Sequence, residues 1–316
     1  MVEARVPAPG ETRKGGELRL VTRGDLDGLT CALLISDCED VEWVRLVHPQ
    51  QIANREITIT HRDILANLPY HSDCGKWFDN VRSSSAALPP EEDLGGAYRK
   101  APSAARVVYD YYRPQRAELE RYTGLVDDVD RLDSGTLTRE DVIHPSGYIL
   151  LGFTLDPRSG LGAYEDYFHL LLGALKQQKL EHVLALPEVV ERVARMKEQD
   201  SGFRAVTLEH TREHGDVLLT DFRPVYPIPS GNRFLVYTLF PEASVSVRVH
   251  WGPDRQEVIV AVAHSVLNRT CRTDIGELMS RFGGGGHAGA GSCVFKPGEA
   301  DARIAEVIVA LRADTA

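Results

Sequence analysis

The stretch from Leu18 to Cys38 constrains the fold more than any other. "LRLVT" is an apolar run too short for a helix, and it ends directly at the turn residues "RGDLDG". "LTCALLISDC" follows at helical length. A buried strand, a turn and a helix in such quick succession form the repeating unit of an open α/β sheet. "VEWVRLV" (41–47), "EITIT" (56–60) and "KWF" (76–78) read as further strands. Strands separated by helical segments predict a parallel sheet.

The turn after the first strand is acidic. Asp25 and Asp27 are two residues apart and flanked by Gly24 and Gly28. Open α/β sheets bind ligands at the carboxyl ends of their strands. Two carboxylates meeting there suit a hard cation such as Mg²⁺ or Mn²⁺. Taken alone, the same residues also make an ordinary solvated turn. More acids follow: Asp63 after the expected third strand, Asp79 at the end of the fourth, and Asp130 and Asp133 in "DDVDRLDSG". Acids recurring at the ends of successive elements favour a metal centre.

From Ser103 the chain turns helical through "SAARVVYDYY", "GLVDDVDRL" and "YEDYFHLLLGALKQQ". "PEVVERVARMKEQDSG" (187–202) opens with proline and ends at glycine, and it suits a connecting helix. Strand-like runs come next: "RAVTLEH", "DVLLTDF", "RFLVYTLF", "SVSVRVHW" and "EVIVAVAH". Two helices, "TDIGELMSRF" and "ADARIAEVIVALR", bracket a glycine tract and the strand "GSCVF". The expected division is a tail over 1–17, one domain over 18–190 and a smaller α+β domain over 191–316.

The tract "RFGGGGHAGAGSC" (281–293) is not placed like a linker. Glycine lets backbone approach a ligand and point its N–H groups inward, which suits an anion. Gly284, Gly285 and Gly286 would cradle a phosphate, His287 would donate to it, and Arg281 or Arg269 would add charge. Arg158 in "LDPRSGLG" reads equally as a phosphate contact or a turn arginine, and His264 as support for the cleft.

Composition limits the partners. A net charge of −10 argues against coating nucleic acid through bulk electrostatics. The five cysteines form no CxxC pair, so a zinc site is not expected. No apolar run approaches the ~20 residues of a membrane span. The expected setting is a reducing cytoplasm, and a homodimer is compatible with the composition.

"LVTRGDLDGLTCALL", "DILANLPY", "WFD", "APSAARVVYDYY", "DSG", "DPRSGLG", "NRT" and "GGGGHAGAG" occur in this order. Together they resemble the DHH phosphoesterase superfamily, which includes the RecJ-like, nanoRNase and exopolyphosphatase-like proteins. The likeness is greatest to the exopolyphosphatase-like branch and spans residues 18–312. It implies a parallel-sheet DHH domain with one or two Mn²⁺ or Mg²⁺ ions, joined by a helix to a substrate-binding domain. By the resemblance, Asp25, Asp27, Asp63, Asp79 and either Asp133 or Asp130 hold metal, and Asp79 and Asp27 also serve catalysis. Gly284–His287 matches the substrate motif.

The third motif departs from the family. The defining Asp-His-His here reads Asp79-Asn80-Val81. Imidazole suits Mn²⁺, valine cannot bind a metal, and asparagine offers only a weak oxygen. Several acids at one cleft still require a counter-charge, either a hard metal or an arginine such as Arg23 or Arg82. His48, His61 and His71 could supply an imidazole from elsewhere, but read first as surface residues. Two functions follow: a metal-dependent phosphoesterase acting on a short oligonucleotide, nucleotide bisphosphate, cyclic-dinucleotide product or polyphosphate, or a silent homologue that binds such a ligand or regulates a partner.

Overall fold

The computed structural model describes residues 18–80, 95–155, 161, 164–229 and 231–313. The expected tail over 1–17, Val81, Arg82 and Arg158 lie outside these residues. The first half is built on a five-stranded sheet. Its elements are β1 (Leu18–Thr22), α1 (Leu26–Cys38), β2 (Val41–Leu46), α2 (Pro49–Ala53), β3 (Asp63–Ala66), β4 (Lys76–Asp79) and β5 (Ala97–Tyr98). The strands lie in the order β2-β1-β3-β4-β5, all parallel. Every carboxyl end therefore falls on one edge of the sheet, which places the loops after β1, β3 and β4 side by side.

Helix α1 is buried from Leu26 to Ile35. It packs in one apolar core with α3 (Ala104–Tyr112) and α4 (Thr123–Asp133). Four helices follow: α5 (Arg139–Ile143), α6 (Gly147–Leu155), α7 (Glu165–Gln177) and α8 (Leu180–Leu184). The long α9 (Pro187–His210) then leads into the second sheet. The expected boundary at 190 falls near the start of this helix.

The second sheet contains β6 (Thr211–His214), β7 (Val217–Asp221), β8 (Val245–Trp251), β9 (Val258–His264), β10 (Gly285–His287) and β11 (Ala290–Phe295), ordered β10-β11-β9-β8-β7-β6. Helices α10 (Leu235–Leu239), α11 (Ile275–Ser280) and α12 (Ala300–Ala313) complete the half. Valines alternate inward on β8 and β9 and meet Ile275, Leu278 and Ile304 in a second core. A third core joins the halves. In it Leu137, Ile149 and Phe153 meet Leu218, Phe234 and Val266, and the rings of Phe153 and Phe234 lie 6.0 Å apart.

Three expected strands are not strands. Glu56–Thr60 is irregular, although Ile57 and Ile59 are buried against Leu65 and Trp77. Its alternation reflects side chains docking on the sheet, while the ladder position belongs to the continuous buried run of β3. "RAVTLEH" extends α9, because Phe203, Val206 and Thr207 recur at helical spacing, with the first two packing against Phe222 and Leu235. "RFLVYTLF" contains α10, whose apolar residues are buried all round, a pattern that does not separate helix from strand.

Candidate active site at the sheet edge

Asp25 is the N-cap of α1 and accepts the Gly28 N–H at 3.0 Å. The same oxygen, Oδ1, accepts the Asn67 side-chain amide at 3.1 Å, and Oδ2 pairs with Arg23 at 3.0 Å. Asn67 directly follows β3 and adopts a left-handed φ of 56°, which asparagine tolerates better than most residues.

Asp27 sits two residues further on, in the first turn of α1, and is only 3% exposed. Its carboxylate accepts the backbone N–H groups of Ala104 at 3.0 Å and Ala105 at 2.7 Å. These are unpaired donors at the start of α3, so the carboxylate both caps that helix and meets its positive end. Burial, followed by the charges of Asp133 and Asp25, still drives the Asp27 proton affinity well above the usual range against those two hydrogen bonds. Burial also pushes the Cys31 thiol up, and the charges of Asp27, Asp25, Asp79 and Asp133 push it further. Four acids therefore share one neighbourhood.

Asp25, Asp27 and Asp133 line a cavity of about 30 Å³ together with Gly152 and Arg233. That volume holds one or two waters or a small cation. Asp79 ends β4 and is 6% exposed, and its Oδ1 accepts the Asn80 N–H at 2.9 Å. Asn80 donates its side-chain amide to the Ala101 carbonyl at 3.1 Å, while its Oδ1 is buried without a hydrogen-bond partner.

Other expected ligands stand elsewhere. Asp63 begins β3 instead of following a strand, so it lies at the opposite edge of the sheet. It is 1% exposed, ion-paired with Arg19 (Nε to Oδ1, 2.5 Å) and bonded to the Thr60 N–H at 2.6 Å. The mistaken third strand caused this displacement. Asp130 turns toward Arg106 at 2.8 Å and accepts the Ser103 hydroxyl at 2.6 Å. His48 caps α2, and His71 accepts the Asp73 N–H at 3.2 Å within its own turn.

The glycine tract folds into the edge hairpin β10–β11, with all of Gly285–His287 exposed. Gly283 and Gly286 have positive φ, and a side chain on Gly284 or Gly286 would collide with the Ser292 or Ala290 carbonyl. Gly285 has open space around it and no such φ. His287 accepts the Gly289 N–H at 3.2 Å, and the Gly289 carbonyl accepts from the His264 backbone at 2.9 Å. Arg269 donates to the Gly135 carbonyl, just past Asp133, and so ties the loop after β9 to the end of α4. Arg281 is exposed and pairs with Glu277 at 2.9 Å.

A pGpG-specific phosphodiesterase, PggH from Vibrio cholerae, superposes with a TM-score of 0.74 at 33% identity, over 94% of this chain and 100% of that one. The chain belongs to the DHH phosphoesterase superfamily. RecJ from Thermus thermophilus in complex with Mn²⁺ shares this DHH fold at 14% identity and a TM-score of 0.54, over 93% of this chain and 52% of that one. An exonuclease RecJ bound to manganese does so at 12% and 0.51, over 93% and 90%. No protein-family model matches the chain, and no match is found among curated proteins.

The donor chemistry fits one hard cation. Three carboxylates line the cavity, and Asp27 is raised first by burial and then by the charges of Asp133 and Asp25. Among the described residues, no three His, Cys, Asp or Glu side chains are placed to ligate one ion. Asp25, Asp27 and Asp133 are the acids that line the cavity, and oxygen donors of that kind suit Mg²⁺ or Mn²⁺. The sequence reading missed Asn67 and Arg233. Asn67 would have emerged had "DILAN" been taken as the strand; Arg233 lies in a segment read as a strand and gave no signal.

Proposed function

We propose that this chain is a divalent-metal-dependent phosphoesterase that hydrolyses a short linear oligonucleotide, with a pGpG-like dinucleotide the first substrate to test. The carrying observation is the cavity lined by Asp25, Asp27, Asp133 and Arg233 at the carboxyl edge of the sheet. Kinship with a phosphodiesterase of that specificity supports the substrate class. Asp25, Asp27, Asp79 and Asp133 are the residues that would hold the cation.

A bound divalent ion supplies Lewis-acid polarisation and lowers the pKa of water. The protein's own groups do the rest. Asp79 accepts the proton of the attacking water as the water oxygen bonds to phosphorus, the P–O bond to the departing nucleoside breaks, and solvent protonates the leaving oxygen. Asp27, fixed by two N–H groups of α3, holds its carboxylate in one orientation. Arg233 places a guanidinium against charge developing on the phosphoryl oxygens. The hairpin N–H groups and His287 hold a second phosphate of the substrate, so cleavage favours short chains whose terminal phosphate reaches β10.

A second reading, a ligand-binding homologue without turnover, is favoured by the Arg23–Asp25 ion pair, a counter-charge already in place. The test is a panel of dinucleotides, a 3′,5′-bisphosphate and short polyphosphate, each with Mn²⁺ and with Mg²⁺. Metal-dependent release from the dinucleotides supports the first reading. A silent panel, with ligand binding still weakened by His287→Ala, supports the second.

A further inference from the structure

Asn80 stands where the family motif resembled by this chain carries its first histidine, and its environment differs from that of an ordinary surface amide. Nδ2 is committed to the Ala101 carbonyl at 3.1 Å, which fixes the orientation of the amide. The backbone N–H is committed to Asp79 Oδ1. Oδ1 is buried and has no hydrogen-bond partner. Nearly every buried carbonyl oxygen in a folded protein is satisfied, and an orphan calls for an ion or a water. Ala101 also leads into Ser103–Ala105, the segment whose N–H groups hold Asp27. Asn80 is therefore tied to both Asp79 and the support of Asp27.

We propose that Asn80 Oδ1 is an oxygen ligand to the divalent cation, taking over the coordination position that the missing imidazole leaves. This inference rests on the metal-dependent reading above. Hard cations accept amide carbonyl oxygens alongside carboxylates. The substitution exchanges a nitrogen donor for an oxygen donor and shifts the site toward oxygen-preferring ions such as Mg²⁺ and Mn²⁺. An amide oxygen would add a donor where, among the described residues, no three acidic, histidine or cysteine ligands converge.

The test is equilibrium binding of Mn²⁺ to the full-length protein, followed by the spin-resonance signal of free and bound ion. Wild type takes up Mn²⁺, and Asn80→Leu, similar in volume and without the oxygen, weakens uptake by about tenfold or more. Asn80→His retains uptake and adds nitrogen modulation to the electron spin echo of the bound ion, a signature that a purely structural residue would not produce. Wild-type affinity in a folded Asn80→Leu, or Mn²⁺ bound to Asn80→His without nitrogen modulation, overturns the inference and leaves the metal-dependent reading standing. Failure of wild type to take up Mn²⁺ overturns both. If Asn80→Leu does not unfold cooperatively, Asn80→His decides the matter.

Discussion

Asn67 donates its side-chain amide to Asp25 Oδ1 at 3.1 Å, across 42 positions of sequence. The bond links the end of β3 to the loop after β1 and sets the direction of the Asp25 carboxylate. Asn67→Ala should lower stability by about 1–2 kcal/mol, because alanine is strained at this left-handed φ. Asn67→Gly should recover most of that backbone strain without restoring the bond. Both variants should then lose Mn²⁺ affinity alike, and denaturant unfolding beside metal titration separates the two effects.

Gly285 offers a cleaner separation of fold from function. Its neighbours Gly284 and Gly286 are glycines for steric reasons, but nothing lies within 4 Å of where a Gly285 side chain would begin. Gly285→Ala should change stability by less than about 0.5 kcal/mol. It should nevertheless raise KM for a phosphorylated dinucleotide severalfold, since the methyl group covers the backbone that approaches the phosphate. Unchanged KM would remove β10 from the substrate site.

The acid limb of stability should report Glu39. Burial alone would raise its proton affinity, but the hydrogen bonds from Lys76 and Tyr112 and the charge of Lys76 bring it below the ordinary glutamate value. The Tyr112 hydroxyl donates at 2.6 Å. A lowered folded-state pKa means that the stabilisation is present above the usual glutamate pKa and is lost as pH falls through the depressed value. Tyr112→Phe should cost about 1 kcal/mol near neutrality and less in acid. Chemical denaturation from pH 7 to pH 3 shows whether the two curves converge.

Asp63 tests the corrected placement. Removing the charge from its buried pair with Arg19 should destabilise the protein by about 3 kcal/mol. Asp63→Asn that remains folded at low temperature should bind Mn²⁺ as wild type does, because the residue lies at the opposite sheet edge from Asp25. A loss of metal affinity without loss of stability would place it back in the site.

The strand–turn–helix around Asp25 and Asp27 was legible because an apolar run, turn residues and a second apolar run follow one another without ambiguity. The valine alternation of β8 and β9 was legible for the same reason. Glu56–Thr60 misled because docking isoleucines alternate as a strand does, and that error carried Asp63 into the site and kept Asn67 out. Arg233 reaches the acids only because Phe234 packs on Phe153 in the core joining the halves, a long-range contact that local pattern does not encode. Asp133 and Asp130 differ in role through which side of α4 faces Arg106, and that too is decided by packing.

Metal-dependent phosphoester hydrolysis at the acidic edge can be tested in a single assay. The most direct measurement is mononucleotide release from pGpG by the purified full-length protein, with Mn²⁺ and then with a chelator, beside Asp25→Ala. The expected result is turnover with Mn²⁺, its loss on chelation and its return when the metal is restored, with Asp25→Ala slower by about a hundredfold or more. Turnover that persists under chelation, or that is undiminished in Asp25→Ala, would contradict it, as would binding of the dinucleotide with no release at any metal concentration.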